Sequence, residues 1–86
     1  MYASLVIMYL SDIIEPLVTE KLREMCVGKQ VFFYDENANE TLIRCKDVYF
    51  ESDDGNYWVC FIDKNGEKYI SDSQGDIDIY FEIKDE

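Results

Sequence analysis

The sequence predicts an α+β domain in which one amphipathic helix packs on a curved, mostly antiparallel sheet of about five strands. Three observations predict it. A single sustained helical period covers residues 11–27, runs of β-type residues follow it, and Asp-Gly and Asn-Gly dipeptides punctuate those runs at hairpin spacing. The 86 residues bound the chain to one domain, near the lower end of what folds without covalent staples.

The elements follow in order. Tyr2 to Leu10 is apolar apart from Ser4 and reads as a strand or the lead-in to a helix (residues 1–10). It has no basic flank, and Asp12 and Glu15 interrupt it well short of the roughly 20 apolar residues a membrane span needs. Met8 offers a second possible start besides Met1. In the helix of residues 11–27, Ile13, Ile14, Leu17, Val18, Leu22, Met25 and Cys26 form one stripe. Asp12, Glu15, Glu20, Arg23 and Glu24 lie opposite. Ser11 suits the N-cap and Gly28 the C-terminal stop. Pro16 leaves two starts open: an interior proline if Ser11 caps, or the favoured first helical position if the regular helix begins there.

A meander over residues 29–84 supplies the surface for that helix. Its strands are Gln30 to Tyr34, Leu42 to Glu51, Tyr57 to Asp63, Lys68 to Ser71 and Ile77 to Ile83. Asp54-Gly55 and Asn65-Gly66 are expected to close type I′ hairpins, with positive φ at both central residues. Residues 36–39 and 73–75 close the other links. In the second strand the apolar phase slips from Ile43 and Cys45 to Val48 and Phe50, which predicts a bulge or bend near Lys46-Asp47. The third strand is apolar on both faces, so a central place is expected, with the helix on one side and sheet curvature or a partner on the other.

Charge is the feature that bears on function. Nineteen carboxylates face eight cations, there is no histidine, and the net charge is −11. Residues 47–86 hold twelve acids and three bases, against seven and five in residues 1–46. Such self-repulsion opposes folding, so a use for the field is expected. Direct nucleic-acid binding is disfavoured, because it relies on cations that displace condensed counterions. Catalysis is not expected: the usual general base is missing, and no nucleophile pair or phosphate-cradling loop occurs. Residues 63–66 lack the ligand spacing of a calcium loop, and Cys26, Cys45 and Cys60 lack zinc spacing, so no metal or cofactor is expected. The odd cysteine count without a CxxC pair reads as a reduced, intracellular chain in which thiols fill the core.

The C-terminal strand is the sharpest local signal. Alternation places Asp76, Asp78, Tyr80 and Glu82 on one solvent face, with Ile77, Ile79, Phe81 and Ile83 opposite. Alternate residues lie about 6.6–6.8 Å apart, comparable to successive phosphates of a nucleic-acid strand. Asp72, Glu51, Asp53 and Asp54, with Asp47 and Glu67 nearby, extend the candidate patch. The same acids would also serve as a solvated face that blunts an edge strand.

Segments Leu10 to Glu15, Gly28 to Gln30 and Trp58 followed by Asp63 to Glu67 are similar to the phage uracil-DNA glycosylase inhibitors, small acidic DNA mimics. In size and acidity the chain also resembles anti-CRISPR proteins. The resemblance implies a phage-encoded, non-enzymatic inhibitor in the host cytoplasm. It would bind the basic nucleic-acid surface of a bacterial defence or repair protein, as a monomer or homodimer and without contacting nucleic acid or membrane. The alternative expectation is a small structural or adaptor subunit whose acids serve solubility.

Overall fold

The computed structural model describes residues 10–73 and 78–84, with only the backbone described for residues 10–12. The expected lead-in over residues 1–9, the link at residues 74–75, and Asp76 and Ile77 lie outside the described residues. One helix, α1 (Leu10–Cys26), is followed by β1 (Gln30–Tyr34), β2 (Glu40–Asp53), β3 (Asn56–Asp63), β4 (Lys68–Asp72) and β5 (Phe81–Lys84). The fold class is as expected: one helix against an open, antiparallel five-stranded sheet of order β4-β3-β2-β1-β5.

The expectation of a simple meander holds for β1 to β4 only. β5 returns to the far edge and pairs with β1, from Gln30 opposite Lys84 to Phe33 opposite Phe81. Regular pairing starts at Phe81, and the described residues 78–80, expected within the strand, precede it. The in-and-out alternation nevertheless continues upstream. Ile79, Phe81 and Ile83 pack against the core, while Asp78 and Tyr80 stay exposed.

β2 bends the sheet. Residues 40–44 pair with β1 and residues 45–53 with β3, with the register shifting between Cys45 and Asp47, where the sequence slips phase. The bulge lets Ile43, Cys45 and Val48 all point inward, and all three are buried. The resulting curl is steep. Phe33 of β1 stacks on Phe61 of β3 at 4.3 Å, across the intervening β2. Phe33 also meets Tyr69 of β4 at 6.0 Å. On a flat sheet those strands would stand about 9.5 and 14 Å apart, from a spacing of about 4.8 Å per strand. The Ser71 hydroxyl closes the curl by donating to the Tyr34 carbonyl at 2.7 Å.

The helix seals the concave side through Leu22 and Cys26, which are buried, and Val18 and Met25, which are half-buried. Ile13 and Leu17 do not join that stripe; they are 43% and 62% exposed among the described residues. The buried face is rotated toward Thr19, which is buried for hydrogen bonding as described below. Ser11 is not the cap: the helix already includes Leu10 and runs through Pro16 without interruption. Gly28 stops it as expected. Its φ of 86° turns the chain so that its N–H meets the Cys45 carbonyl at 2.8 Å, and the Cys45 N–H returns to Lys29 at 2.8 Å.

The turns divide. Asp54 and Gly55 both have positive φ, 49° and 84°, as type I′ requires. The β3–β4 link is different: Gly66 alone is positive, at 85°, because Asp63 organises a wider turn. Its Oδ1 accepts the N–H groups of Asn65 and Glu67 at 2.8 and 2.9 Å. The β1–β2 link repeats this arrangement. Asp35 Oδ1 accepts the N–H groups of Asn37 and Asn39, both at 2.9 Å, and Ala38 takes the positive φ of 62°.

Candidate partner-binding site

Among the described residues, β2 beyond Cys45 has β3 on one side and no strand on the other. Its free backbone donors are met by the helix. The Phe50 N–H donates to Thr19 Oγ1 at 2.9 Å, and the Ser52 N–H and hydroxyl donate to Glu15 Oε2 at 2.8 and 2.6 Å. α1 therefore stands where a sixth strand would, which satisfies the edge and leaves a groove between helix and strand. Glu15, Glu20 and Glu24 line it from α1, and Asp47 and Glu51 from β2, over a floor that includes Tyr49 and Phe50.

Among the described residues two cations enter this groove, Arg23 and Lys46. Arg23 is committed to Asp47, donating from Nε at 2.8 Å and from Nη2 at 3.3 Å. Burial works to raise the Asp47 carboxyl, but the Arg23 guanidinium and the Val48 N–H outweigh it and hold it below the usual range. Glu51 is fixed by the indole of Trp58, which donates from Nε1 at 2.9 Å.

The acidic zone continues around the β2–β3 hairpin. Asp53 and Asp54 line the adjoining hollow with Phe50, Ser52 and Tyr57. Asp72, opposite Trp58 in the register, lines the next one. The Tyr57 hydroxyl donates to Asp78 at 2.8 Å, bringing the segment before β5 to the same end. That bond and then the Ile79 N–H lower the Asp78 carboxyl, while the bond to Asp78 and its charge raise the Tyr57 hydroxyl. Through these contiguous hollows run Glu15, Glu20, Glu24, Asp47, Glu51, Asp53, Asp54 and Asp72, against Arg23 and Lys46.

Of the residues singled out in the sequence, Glu51, Asp53, Asp54, Asp72 and Asp78 thus gather at one end of the sheet. Tyr80 and Glu82 do not join them. They lie beside β1, where the Tyr80 hydroxyl donates to Glu82, Lys84 Nζ donates to Glu82 at 2.9 Å, and Tyr80 meets the Tyr34 ring at 6.0 Å. The two donors, Tyr80 first, hold the Glu82 carboxyl low. Asp76 lies outside the described residues. Glu67 stands elsewhere, in a hollow with Asp35, Glu36 and Lys68.

The sequence reading missed the helical acids of the zone, Glu15, Glu20 and Glu24, because it took charge density per segment as the guide. The signal available was their placement on the hydrophilic side of a helix that must lie along an edge strand. Among the described residues, no group of three or more His, Cys, Asp or Glu is placed to hold a metal ion. Cys26, Cys45 and Cys60 are buried and unbridged. No described helix is long and apolar enough to cross a membrane. No protein-family model matches the sequence, and no curated protein or solved structure matches it either.

Proposed function

We propose that this chain is a non-enzymatic inhibitor whose acidic zone occupies the basic nucleic-acid-binding surface of another protein, a bacterial defence or repair enzyme. One observation carries the reading: among the described residues, eight carboxylates line contiguous hollows from the α1–β2 groove to the β2–β3 hairpin, with two cations among them, one already paired. A field of that sign speeds encounter with a cationic cleft and repels nucleic acid itself. Tyr49, Phe50 and Tyr57, set among the acids, supply apolar contact area of the kind that holds a complex once formed.

The test is capture from a bacterial lysate at low salt, with elution by duplex DNA. Proteins held by the acidic zone are released by the DNA that competes for their clefts, and retention falls as salt rises. Glu20→Lys, Glu24→Lys and Asp53→Lys together abolish that capture. Retention unaffected by DNA and by the triple reversal overturns the reading.

A further inference from the structure

The outer face of β1, β5 and the first half of β2 is built differently from the acidic zone. The register arranges it as three rows across β5, β1 and β2: Lys84, Gln30 and Arg44; Glu82, Phe32 and Leu42; then Glu40 beside Tyr34, with Tyr80 just ahead of β5. Leu42, Tyr80 and Tyr34 are 55%, 45% and 37% exposed. Phe32 sits among them, edge-on to Tyr34 at 5.4 Å and 5.6 Å below the Lys84 ammonium. An apolar centre of this kind on a sheet face, ringed by charge, has the composition of an interface.

The charges decide the occupant. Among the described residues the face carries two acids, Glu40 and Glu82, and two cations, Arg44 and Lys84, so their charges cancel on a chain of net charge −11. Both cations lie in one end row, and Glu40 lies at the other end of the same strand as Arg44. A second copy laid face to face and reversed along the strands sets Arg44 against the other copy's Glu40, Leu42 against Leu42 and Phe32 against Phe32. It also brings Glu82 to Glu82, each already neutralised by its own Lys84 at 2.9 Å, so the self-complementary charges are those of β2. A cationic partner would find its match at the acidic zone instead.

We propose that this face is a self-association surface, on which two copies of the chain pack sheet to sheet about a two-fold axis across the strands. The pairing leaves the α1–β2 groove and the β2–β3 hairpin free, and it does not depend on the function proposed above.

The experiment is sedimentation equilibrium of the full chain from about 1 to 200 µM, since a homodimer's population follows protomer concentration. Dimer is expected, and it tightens as salt screens the repulsion between the two anionic chains, whereas capture by the acidic zone weakens. Leu42→Asp and Glu40→Lys each weaken the dimer about tenfold or more, because an unpaired or like charge is forced into the contact. The exchange of Glu40→Lys with Arg44→Glu restores it to within about threefold, because the pair is rebuilt with its signs reversed. Thermal unfolding of each variant, followed by circular dichroism, verifies that it is folded. If Arg44→Glu destabilises the chain, since Arg44 also donates to the Gly28 carbonyl at 3.1 Å, Leu42→Asp and Glu40→Lys decide the matter. A chain that stays monomeric at every concentration and salt overturns the proposal, and so does a dimer indifferent to both of those substitutions.

Discussion

Ala38 and Gly66 occupy the same place in two copies of one turn, and exchanging them gives a test in which the sign is fixed in advance. Each follows an Asp-x-Asn run, and each has positive φ, 62° and 85°. An L residue there costs roughly 1–2 kcal/mol, through the approach of Cβ to the carbonyl oxygen. Glycine avoids that cost but loses roughly 0.5–1 kcal/mol more in conformational entropy on folding. The difference makes Ala38→Gly stabilising by up to about 1.5 kcal/mol and Gly66→Ala destabilising by a similar amount. Space does not blur the second value, since a Cβ at Gly66 meets nothing within 4 Å. Urea unfolding measures both, and each kcal/mol corresponds to about 4–8 °C of Tm in a domain this size. A midpoint for Ala38→Gly at or below that of the parent chain would show that the left-handed backbone at residue 38 is not strained, and the argument from φ would fail.

Three further outcomes follow from the same geometry. Thr19→Val keeps shape and helix propensity but strands the Phe50 N–H, and Glu15→Ala strands two donors of Ser52; each costs about 1–3 kcal/mol in urea unfolding, and a loss below about 0.5 kcal/mol for both would mean that the helix does not cap the β2 edge. The Asp63 carboxyl is held low, first by the Glu67 N–H and then by Asn65, so its contribution to stability is complete above the unfolded value near 3.8 and disappears as pH falls through the folded value below it. Asp63→Asn should therefore flatten the acid limb of the pH–stability curve, and an unchanged limb refutes the linkage. Burial pushes the Cys45 thiol up to about 12 and raises Cys26 and Cys60 as well. A thiol reagent at pH 8 should find no reactive cysteine until the chain unfolds, and rapid labelling of the native chain contradicts their burial.

The parts of the fold legible in the sequence were those where one residue's chemistry admits one conformation. Gly28 stops the helix, Asp54-Gly55 forms the tight hairpin, and the slip from Cys45 to Val48 becomes the bulge that bends β2. The errors arose where tertiary partners decide. The Asn65-Gly66 dipeptide signals type I′, yet the Asp63 side chain two residues earlier selects a wider turn by capturing two N–H groups. The same Asp-x-Asn spacing at residues 35–37 carries the same signal for the β1–β2 turn. Residues 78–80 alternate as a strand does, but alternation reports which side faces the core, not whether a neighbour pairs. The site was half legible for the same reason. Local density found Glu51, Asp53, Asp54, Asp72 and Asp78, but the fold separates Tyr80 and Glu82 from them by returning β5 to β1.

The carboxylates of the described residues include two kinds, and only one kind is free to act on a partner without disturbing the fold. Asp35 and Asp63 build turns, Glu15 caps the β2 edge, Asp47 holds Arg23, Glu51 seats Trp58 and Asp78 receives Tyr57. Each accepts a charge-assisted hydrogen bond that offsets part of the repulsion its charge adds. Glu20, Glu24, Asp53 and Asp54 take no hydrogen bond or ion pair from the described residues. Their repulsion is uncompensated in the isolated chain, so neutralising them should leave stability unchanged or raise it. A surface kept at such a cost without any return in folding is accounted for if a cation outside the chain completes it. If instead their removal unfolds the domain, these four residues are part of the structure, and the acidic zone needs no partner to explain it.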